Sequence, residues 1–203
     1  EDSLKRLKTD YIDLIQLHWP DTTTPISETM EAMEILLQQG KVRSAGVSNY
    51  DVAQIIEARE TLAIVSDQVP YSMLKRDIED ELVPYTIKNN VGIIAYSPLE
   101  RGLLTGKYFK GETLQEKDHR NSYFNQFDLD KVQVFLKKLE VLAKEKNVAV
   151  SQLVLRWTTL QPGITIVLAG ARNPTQAIQN AKAMEITIDN DEMKFINKAL
   201  SEI

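Results

Sequence analysis

The sequence of 203 residues contains no cysteine. This absence excludes disulfides, zinc–thiolate sites, iron–sulfur clusters and thiol nucleophiles. Histidine is nearly as scarce, because His18 and His119 are the only two, so a three-histidine metal site is impossible and we predict no bound metal. No run of apolar residues approaches the roughly 18–20 that would cross a bilayer, so we expect no membrane partner.

An excess of positive charge is also missing. The 24 Lys and Arg residues are outnumbered by 29 Asp and Glu residues, which gives a net charge of −5. We therefore expect no nucleic-acid partner, although a single local anion pocket is compatible with this balance. The content of hydrophobic residues, 43%, and of charged residues, 26%, is typical of a globular protein with a sizeable core.

The first seven residues, Glu1–Leu7, include neither an initiating Met nor the basic-then-apolar segment of a secretory leader. We expect a cytoplasmic protein. Leu4 and Leu7, followed by Tyr11, are typical of the end of an amphipathic helix that leads into a strand. Two interpretations stay open: a trimmed start, or a folded unit that the chain enters partway through.

Five short apolar segments, each ended by polar residues, predict β-strands. They cover residues 11–18, 42–49, 66–71, 91–98 and 164–170. The first four strand starts are 24–31 residues apart, which fits a strand plus one crossover helix and therefore indicates parallel strands.

Helical patterns lie between the predicted strands. Ser27 is a candidate N-cap and Gly40 a candidate C-terminal cap of the first helix, while Asp51 opens the second. The apolar stripe of the first helix includes Met30 and Ile35. Further helices are predicted over 77–89, 129–147, 151–159, 174–184 and 189–203.

A polar segment of about 99–128 follows the fourth predicted strand. A connection this long in a compact domain is usually a lid or a binding loop, or is disordered. His119 lies in this segment and is expected to be a solvated loop residue. No linker or low-complexity stretch interrupts the chain, so we predict a single domain over 1–203.

Strands this apolar on both faces need cover on both sides, which leaves a doubly wound sheet or a (β/α)8 barrel. The Gly-x-Gly-x-x-Gly fingerprint and the Gly-x-x-x-x-Gly-Lys-Ser/Thr loop are both absent. Polar residues instead end every predicted strand, as the mouth of a barrel requires, whereas a doubly wound sheet would concentrate them at one switch point. The pattern favours the barrel. The strand-end residues are His18, Ser48, Asn49, Gln68, Tyr96, Ser97, Gly170 and Arg172.

Five segments in register resemble the aldo-keto reductases, and in particular the bacterial branch with a long loop after the seventh strand. The segments are Asp13–Asp21, Gly46–Tyr50, Asp67–Tyr71, Ala95–Leu99 with Arg101–Lys107, and Gly170-Ala171-Arg172 with Asn180. The resemblance covers essentially the whole chain. It implies an α/β fold of the (β/α)8 TIM-barrel type, of which this chain supplies about strands 4–8 and their helices. It also implies an oxidoreductase that reduces aldehyde or ketone carbonyls to alcohols with NADP(H), or with NAD(H).

The resemblance assigns His18 to the active-site histidine, which orients and polarises the substrate carbonyl. A hydrogen-bond donor there stabilises the alkoxide that hydride transfer creates. For a strand-end histidine without this context, a structural role would be the favoured interpretation. Ser48, Asn49 and Gln68 match the residues that hold the nicotinamide carboxamide, although ordinary turn chemistry is an alternative for the first two.

The remaining positions match the rest of the cofactor site. Tyr96 matches the aromatic residue on which the nicotinamide ring stacks, with a core tyrosine as the alternative. Five residues match the loop on the pyrophosphate side, namely Ser97, Pro98, Leu99, Gly102 and Leu103. Five more fall in the segment that holds the adenosine end, namely Gly170, Arg172, Gln176, Gln179 and Asn180.

Two departures from the family pattern limit these implications. Gln176 and Gln179 stand where relatives carry Arg and an acidic residue, so the choice between NADPH and NADH stays open with Arg172 as the available guanidinium. The family's acid Tyr and its assisting Lys and Asp match no residue of the 203. A non-catalytic nicotinamide-nucleotide-binding module or regulatory subunit is therefore the alternative to a reductase. The substrate and the oligomeric state are not predicted.

Overall fold

The computed structural model describes all residues, 1–203, and strands alternate with helices along most of it. Five strands form one sheet in the order β1-β2-β3-β4-β5, and β2 is parallel to both β1 and β3. Their bounds are β1 Ile12–Gln16, β2 Val42–Ser48, β3 Ile64–Pro70, β4 Gly92–Tyr96 and β5 Ile164–Leu168. Because consecutive strands are neighbours and helices connect them, the predicted (β/α)8-type fold is confirmed, with five strands supplied by this chain.

Nine α-helices accompany the strands. They are α1 Asp2–Leu7, α2 Ile26–Gln38, α3 Val52–Thr61, α4 Leu82–Asn89, α5 Arg120–Phe124, α6 Leu129–Glu145, α7 Val150–Thr159, α8 Pro174–Lys182 and α9 Asn190–Leu200. No helix of the structure is both long and apolar enough to cross a membrane.

The helix starts test the predicted caps. The N-cap of α3 is confirmed, because the Asp51 carboxylate accepts from the Gln54 N–H at 2.8 Å while the Gln54 side chain accepts from the Asp51 N–H at 3.0 Å. The predicted N-cap Ser27 is wrong, since Pro25 occupies that position with a non-helical ψ of 141° and α2 begins at Ile26. Gly40 has a φ of 68° just after α2, as a glycine past a helix end does.

Two predicted segments differ from the structure. The helix expected from residue 77 begins only at Leu82, because Pro84 lacks an N–H and is tolerated only in the first turn of a helix. The polar segment 99–128 contains α5 and two 3-10 helices, Glu100–Thr105 and Lys107–Lys110. Although this segment is polar on average, some of its apolar side chains are buried, among them Leu104 and Phe124.

The chain forms two compact units. The first consists of Glu1–Pro70, Asp77–Ile94 and Pro162–Ile166, and the second of Tyr71–Arg76, Ala95–Gln161 and Val167–Ile203. The single-domain organisation stays a prediction.

Each unit has its own apolar core. In the first unit, residues of the strands and of α2 and α3 are fully buried: Met30, Val47, Ile55, Ala58 and Ile93. Ile35, predicted on the apolar stripe of α2, is 52% exposed. In the second unit the Trp157 ring stacks on Tyr71 with the centroids 6.2 Å apart, and its indole N–H donates to the Asn197 side chain at 3.1 Å. This satisfies the one polar group of a fully buried tryptophan.

Candidate active site

The carboxyl ends of β1, β2 and β3 bring four predicted residues together in the first unit. The Ser48 hydroxyl donates to the Gln68 main-chain carbonyl at 2.6 Å, and the Asn49 side-chain amide donates to the Ser48 hydroxyl at 3.0 Å. The same amide donates to the His18 carbonyl at 3.1 Å. Ser48 is buried, Asn49 and Gln68 are half-buried, and the His18 side chain is exposed. Polar groups thus share one edge of the sheet, with the imidazole on the solvent side.

Close strand contact below these residues depends on Gly46. A Cβ at this position would lie 2.3 Å from the Ser66 hydroxyl and 3.1 Å from the Ser66 carbonyl oxygen, so the hydroxyl would have to move and the carbonyl would be in tight contact. The Gln16 side-chain amide donates to the Val47 carbonyl at 3.2 Å and to the Ser66 hydroxyl at 3.4 Å. These contacts link the three strands just before they present Ser48 and its neighbours.

Asp67 is the most unusual polar residue near this edge. It is fully buried in β3, and neither carboxyl oxygen accepts a hydrogen bond of normal geometry. Burial raises its pKa to about 7, and the nearby backbone N–H groups of Tyr50, Asn49 and Gln68 offset only part of that increase. A carboxyl group that changes charge near neutral pH therefore lies directly behind the Ser48–Asn49 turn.

A cavity of about 760 Å³ lies within the second unit. Nine predicted residues line it: Ser97, Pro98, Leu99, Gly102, Gly170, Arg172, Gln176, Gln179 and Asn180. The structure thus joins the predicted pyrophosphate-side loop and the predicted adenosine segment in one pocket. The six other predicted site residues do not line it. Four lie at the strand ends of the first unit, namely His18, Ser48, Asn49 and Gln68, and the other two are Leu103, which is 1% exposed, and the half-buried Tyr96 at the end of β4.

The wall of the cavity after β4 has an unusual backbone. Ser97, Glu100 and Arg101 have φ values of 58°, 46° and 53°, in the left-handed region, and Gly102 follows at 97°. Each such non-glycine residue costs about 1–3 kcal/mol, a cost that persists only where the surroundings impose the conformation. Main-chain hydrogen bonds stabilise the turn, from the Glu100 N–H to the Ser97 carbonyl and from the Gly102 N–H to the Leu99 carbonyl, each at 2.9 Å.

The opposite wall is formed by the start of α8 and the residues before it. The Asn173 side chain caps the helix by accepting from the Gln176 N–H at 2.9 Å, and the Gln176 side chain accepts from the Arg172 N–H at 2.8 Å. The Asn180 amide donates to the Gly170 carbonyl at 3.2 Å. Gln176 and Asn180 therefore hold the turn that carries Arg172.

The charged side chains of the cavity lining are all cationic, and the lining contains no carboxylate. They are Arg101, Lys107, Arg120 and Arg172, with His119 as a fifth basic residue. Lys107 pairs with Glu112 at 2.8 Å, and Arg120 pairs with Asp118 at 2.5 Å and holds the pKa of that carboxyl well below its usual range. Arg172 makes no ion pair. A positively charged pocket of this size suits a large anion.

Ten lining residues were not among the predicted site residues: Arg101, Thr105, Lys107, Tyr108, His119, Arg120, Ser151, Leu168, Ala169 and Ala171. Most lie in the polar segment 99–128. His119 has a 74% exposed side chain, as expected of a solvated residue, yet it also lies at the cavity. The sequence does contain one indication that this segment is packed rather than solvated. Three aromatic residues, Tyr123, Phe124 and Phe127, lie close together in it, which is typical of a packed element.

Comparisons with family models and with individual proteins identify the same family. A model of the aldo/keto reductase family matches residues 1–201. The chain is 39% identical over 204 residues to the aldo-keto reductase YhdN of Bacillus subtilis and 32% identical over 199 residues to an NADH-specific methylglyoxal reductase of Escherichia coli. These alignments cover 98% and 97% of the chain, which spans 61% of the length of each relative.

A solved structure agrees with these sequence matches. The structure of a glycerol dehydrogenase from Gluconobacter oxydans superimposes with a TM-score of 0.91 at 35% identity, over 98% of this chain and 62% of that one. The resemblance predicted from the strand-end residues is thus confirmed, and the chain belongs to the aldo/keto reductase family.

Proposed function

We propose that the protein is a nicotinamide-nucleotide-dependent oxidoreductase that reduces the carbonyl group of a small aldehyde or ketone. The observation that carries the proposal is the cationic cavity of the second unit, lined by nine of the residues predicted to contact the cofactor. Its volume, about 760 Å³, is within the usual range of small-molecule sites. Membership of the aldo/keto reductase family supports the same reaction class.

The residues of the cavity fit a dinucleotide. Its cationic lining without carboxylates matches the charge of phosphate groups, and the left-handed turn Ser97–Gly102 brings main chain to the pocket wall, where backbone N–H groups can approach phosphate oxygens. Arg172, Gln176 and Asn180 would hold the adenosine end. When bound, the cofactor would supply the hydride.

Ser48, Asn49 and Gln68 would hold the carboxamide of the nicotinamide, which needs both donors and acceptors. The hydrogen bonds from the Asn49 amide to the Ser48 hydroxyl, and from that hydroxyl to the Gln68 main-chain carbonyl, orient the Ser48 and Asn49 side chains before a ligand arrives, so little ordering of these two is required on binding. Tyr96 would cover one face of the ring. His18 would donate to the carbonyl oxygen of the substrate and stabilise the negative charge that develops on it. No residue of the 203 is assigned as the general acid.

Arg172 favours NADPH over NADH in this proposal. It lies on the cavity wall without an ion pair, so its guanidinium can form a bidentate contact with the 2′-phosphate that only NADPH carries. Gln176 accepts from the Arg172 N–H and so holds the turn rather than adding charge.

Fluorescence titration of the full-length protein with NADPH and NADH, followed by turnover with a small aldehyde, tests the proposal. We expect saturable binding of NADPH, tighter than that of NADH, and loss of NADPH absorbance when the aldehyde is added. Saturable binding without any turnover would favour the alternative of a non-catalytic nucleotide-binding module. Absence of binding would overturn both.

A further inference from the structure

Glu100 is a buried carboxyl residue for which the proposed chemistry has no use. It is 1% exposed, although its neighbours Leu99 and Arg101 line the cavity. One carboxyl oxygen accepts a short hydrogen bond from the Ser72 hydroxyl, and the other accepts from the Tyr123 hydroxyl at 2.5 Å. Both oxygens thus have partners, as a buried carboxyl group requires.

The two partners belong to different segments of the second unit. Ser72 lies in the turn after β3, where its hydroxyl also accepts from the N–H groups of Leu74 and Lys75 at 3.1 and 3.0 Å. Tyr123 lies in α5, and the Arg101 guanidinium packs 3.7 Å from the centroid of its ring. Burial, then the hydrogen bond to Glu100, raises the pKa of the Tyr123 phenol, so it remains a donor.

The helix α5 also carries part of the cavity wall. Its first residue, Arg120, lines the cavity and donates to the Tyr108 hydroxyl at 2.7 Å, and Tyr108 lines the cavity as well. With only five residues, α5 is too short to be stable by itself and depends on such tertiary contacts. The bond from Tyr123 to Glu100 joins this helix to the strained turn at Ser97–Gly102.

We propose that Glu100 is a positioning residue that ties α5 and the turn after β3 to the segment Ser97–Thr105 and thereby preforms the nucleotide cavity. The inference rests on the proposed function for the identity of the ligand. A wall that is already ordered loses less conformational entropy when the nucleotide binds. The two hydrogen bonds of Glu100, to Ser72 and Tyr123, form a tether that therefore strengthens binding mainly by slowing dissociation. Glu100 touches no reacting group, so it does not assist the chemical step.

Two substitutions and one matched control test this role. Tyr123→Phe removes only the hydroxyl and keeps the ring under Arg101, while Glu100→Gln keeps the shape but replaces one acceptor oxygen by a donor. Tyr85→Phe is the control, because the Tyr85 side chain is also half-buried and its hydroxyl makes no hydrogen bond. We expect both test variants to raise the Kd for NADPH about tenfold, through a faster dissociation rate, with kcat for an aldehyde not reduced.

Hydrogen exchange of the nucleotide-free protein provides the second measurement. Both test variants should speed amide exchange in 120–127, and Glu100→Gln should also speed it at Leu74 and Lys75, while Tyr85→Phe leaves these segments unchanged. Unchanged exchange in 120–127 overturns the tether. Faster exchange with an unchanged dissociation rate overturns the coupling to binding. If the unsubstituted protein binds no NADPH, the proposed function fails and the coupling with it, while exchange still decides whether the tether exists.

Discussion

The Asn49 side chain donates to the His18 carbonyl at 3.1 Å and so joins the end of β2 to the end of β1. It also donates to Ser48, whose hydroxyl donates to the carbonyl of Gln68 at the end of β3. Three strand ends are therefore linked through one amide and one hydroxyl. Asn49 occupies the left-handed region with a φ of 62°, which asparagine tolerates better than most residues.

Asn49→Gly tests the importance of this link, because glycine accepts the same backbone conformation and removes only the side chain. We expect NADPH affinity to fall about tenfold and the free energy of unfolding to fall by about 1–2 kcal/mol, because two hydrogen bonds of about 1 kcal/mol each are lost. The control is Asn90→Gly, at an exposed residue with a φ of 54° whose side chain makes no hydrogen bond. Equal affinity in the two variants would contradict the assignment of Asn49 to the nicotinamide site.

His18 should act on the substrate rather than on the fold. Because its imidazole is exposed, His18→Ala should change the free energy of unfolding by less than about 0.5 kcal/mol. The loss of a donor to the developing alkoxide should lower kcat about 100-fold while the Kd for NADPH stays within about twofold. Steady-state kinetics with an aldehyde and nucleotide titration separate the two effects. A collapse of nucleotide affinity would instead assign His18 a structural role.

Much of this arrangement was accessible from the sequence, because parallel strands place their carboxyl ends at one edge and polar residues there are conspicuous after apolar runs. His18, Ser48, Asn49 and Gln68 stood out for that reason. Glu100 did not. Its hydrogen-bond partners lie 28 residues earlier and 23 residues later, and no local pattern encodes such distant contacts.

Buried charged residues, and charged residues that line the cavity, were equally hard to predict from the sequence. Aspartate is seldom fully buried, so the position of Asp67 between two polar neighbours gave no reason to expect zero exposure. The cavity residues Lys107 and Arg120 were missed because they lie in a segment whose polar composition is typical of solvated loops. Short helices such as α5 form only through tertiary contacts, which composition does not reveal.

Arg172→Ala should change the binding of NADPH much more than the binding of NADH. Loss of the guanidinium should raise the Kd for NADPH at least tenfold, because a charge-assisted contact to the 2′-phosphate is removed, and should leave the Kd for NADH within about twofold. The salt dependence of NADPH binding should weaken in the same variant. Arg6→Ala, at an exposed residue of α1, serves as the control for net charge. Equal losses for both nucleotides would show that Arg172 does not contact the 2′-phosphate.

Asp67 should make the stability of the protein depend on pH between about 4 and 7. Its pKa rises from 3.8, the ordinary value, to about 7 in the folded chain, so the folded state binds a proton more tightly than the unfolded state does. The stability that this proton provides is fully present below about pH 4 and is lost as the pH rises through 7. At about 1.4 kcal/mol for each unit of pKa, the loss amounts to about 4 kcal/mol.

Asp67→Asn should abolish this dependence, because a neutral amide keeps the shape of the protonated carboxyl group. Above pH 7 the variant should therefore resist urea better than the unsubstituted protein, and near pH 4 the two should unfold at similar urea concentrations. Asp77→Asn, at an exposed aspartate, is the matched control and should follow the unsubstituted protein at every pH. Urea unfolding followed by circular dichroism at pH 4.5 and pH 8 decides the matter. If Asp67→Asn destabilises the protein equally at both pH values, the buried carboxyl is held as an anion, and the desolvation argument is wrong.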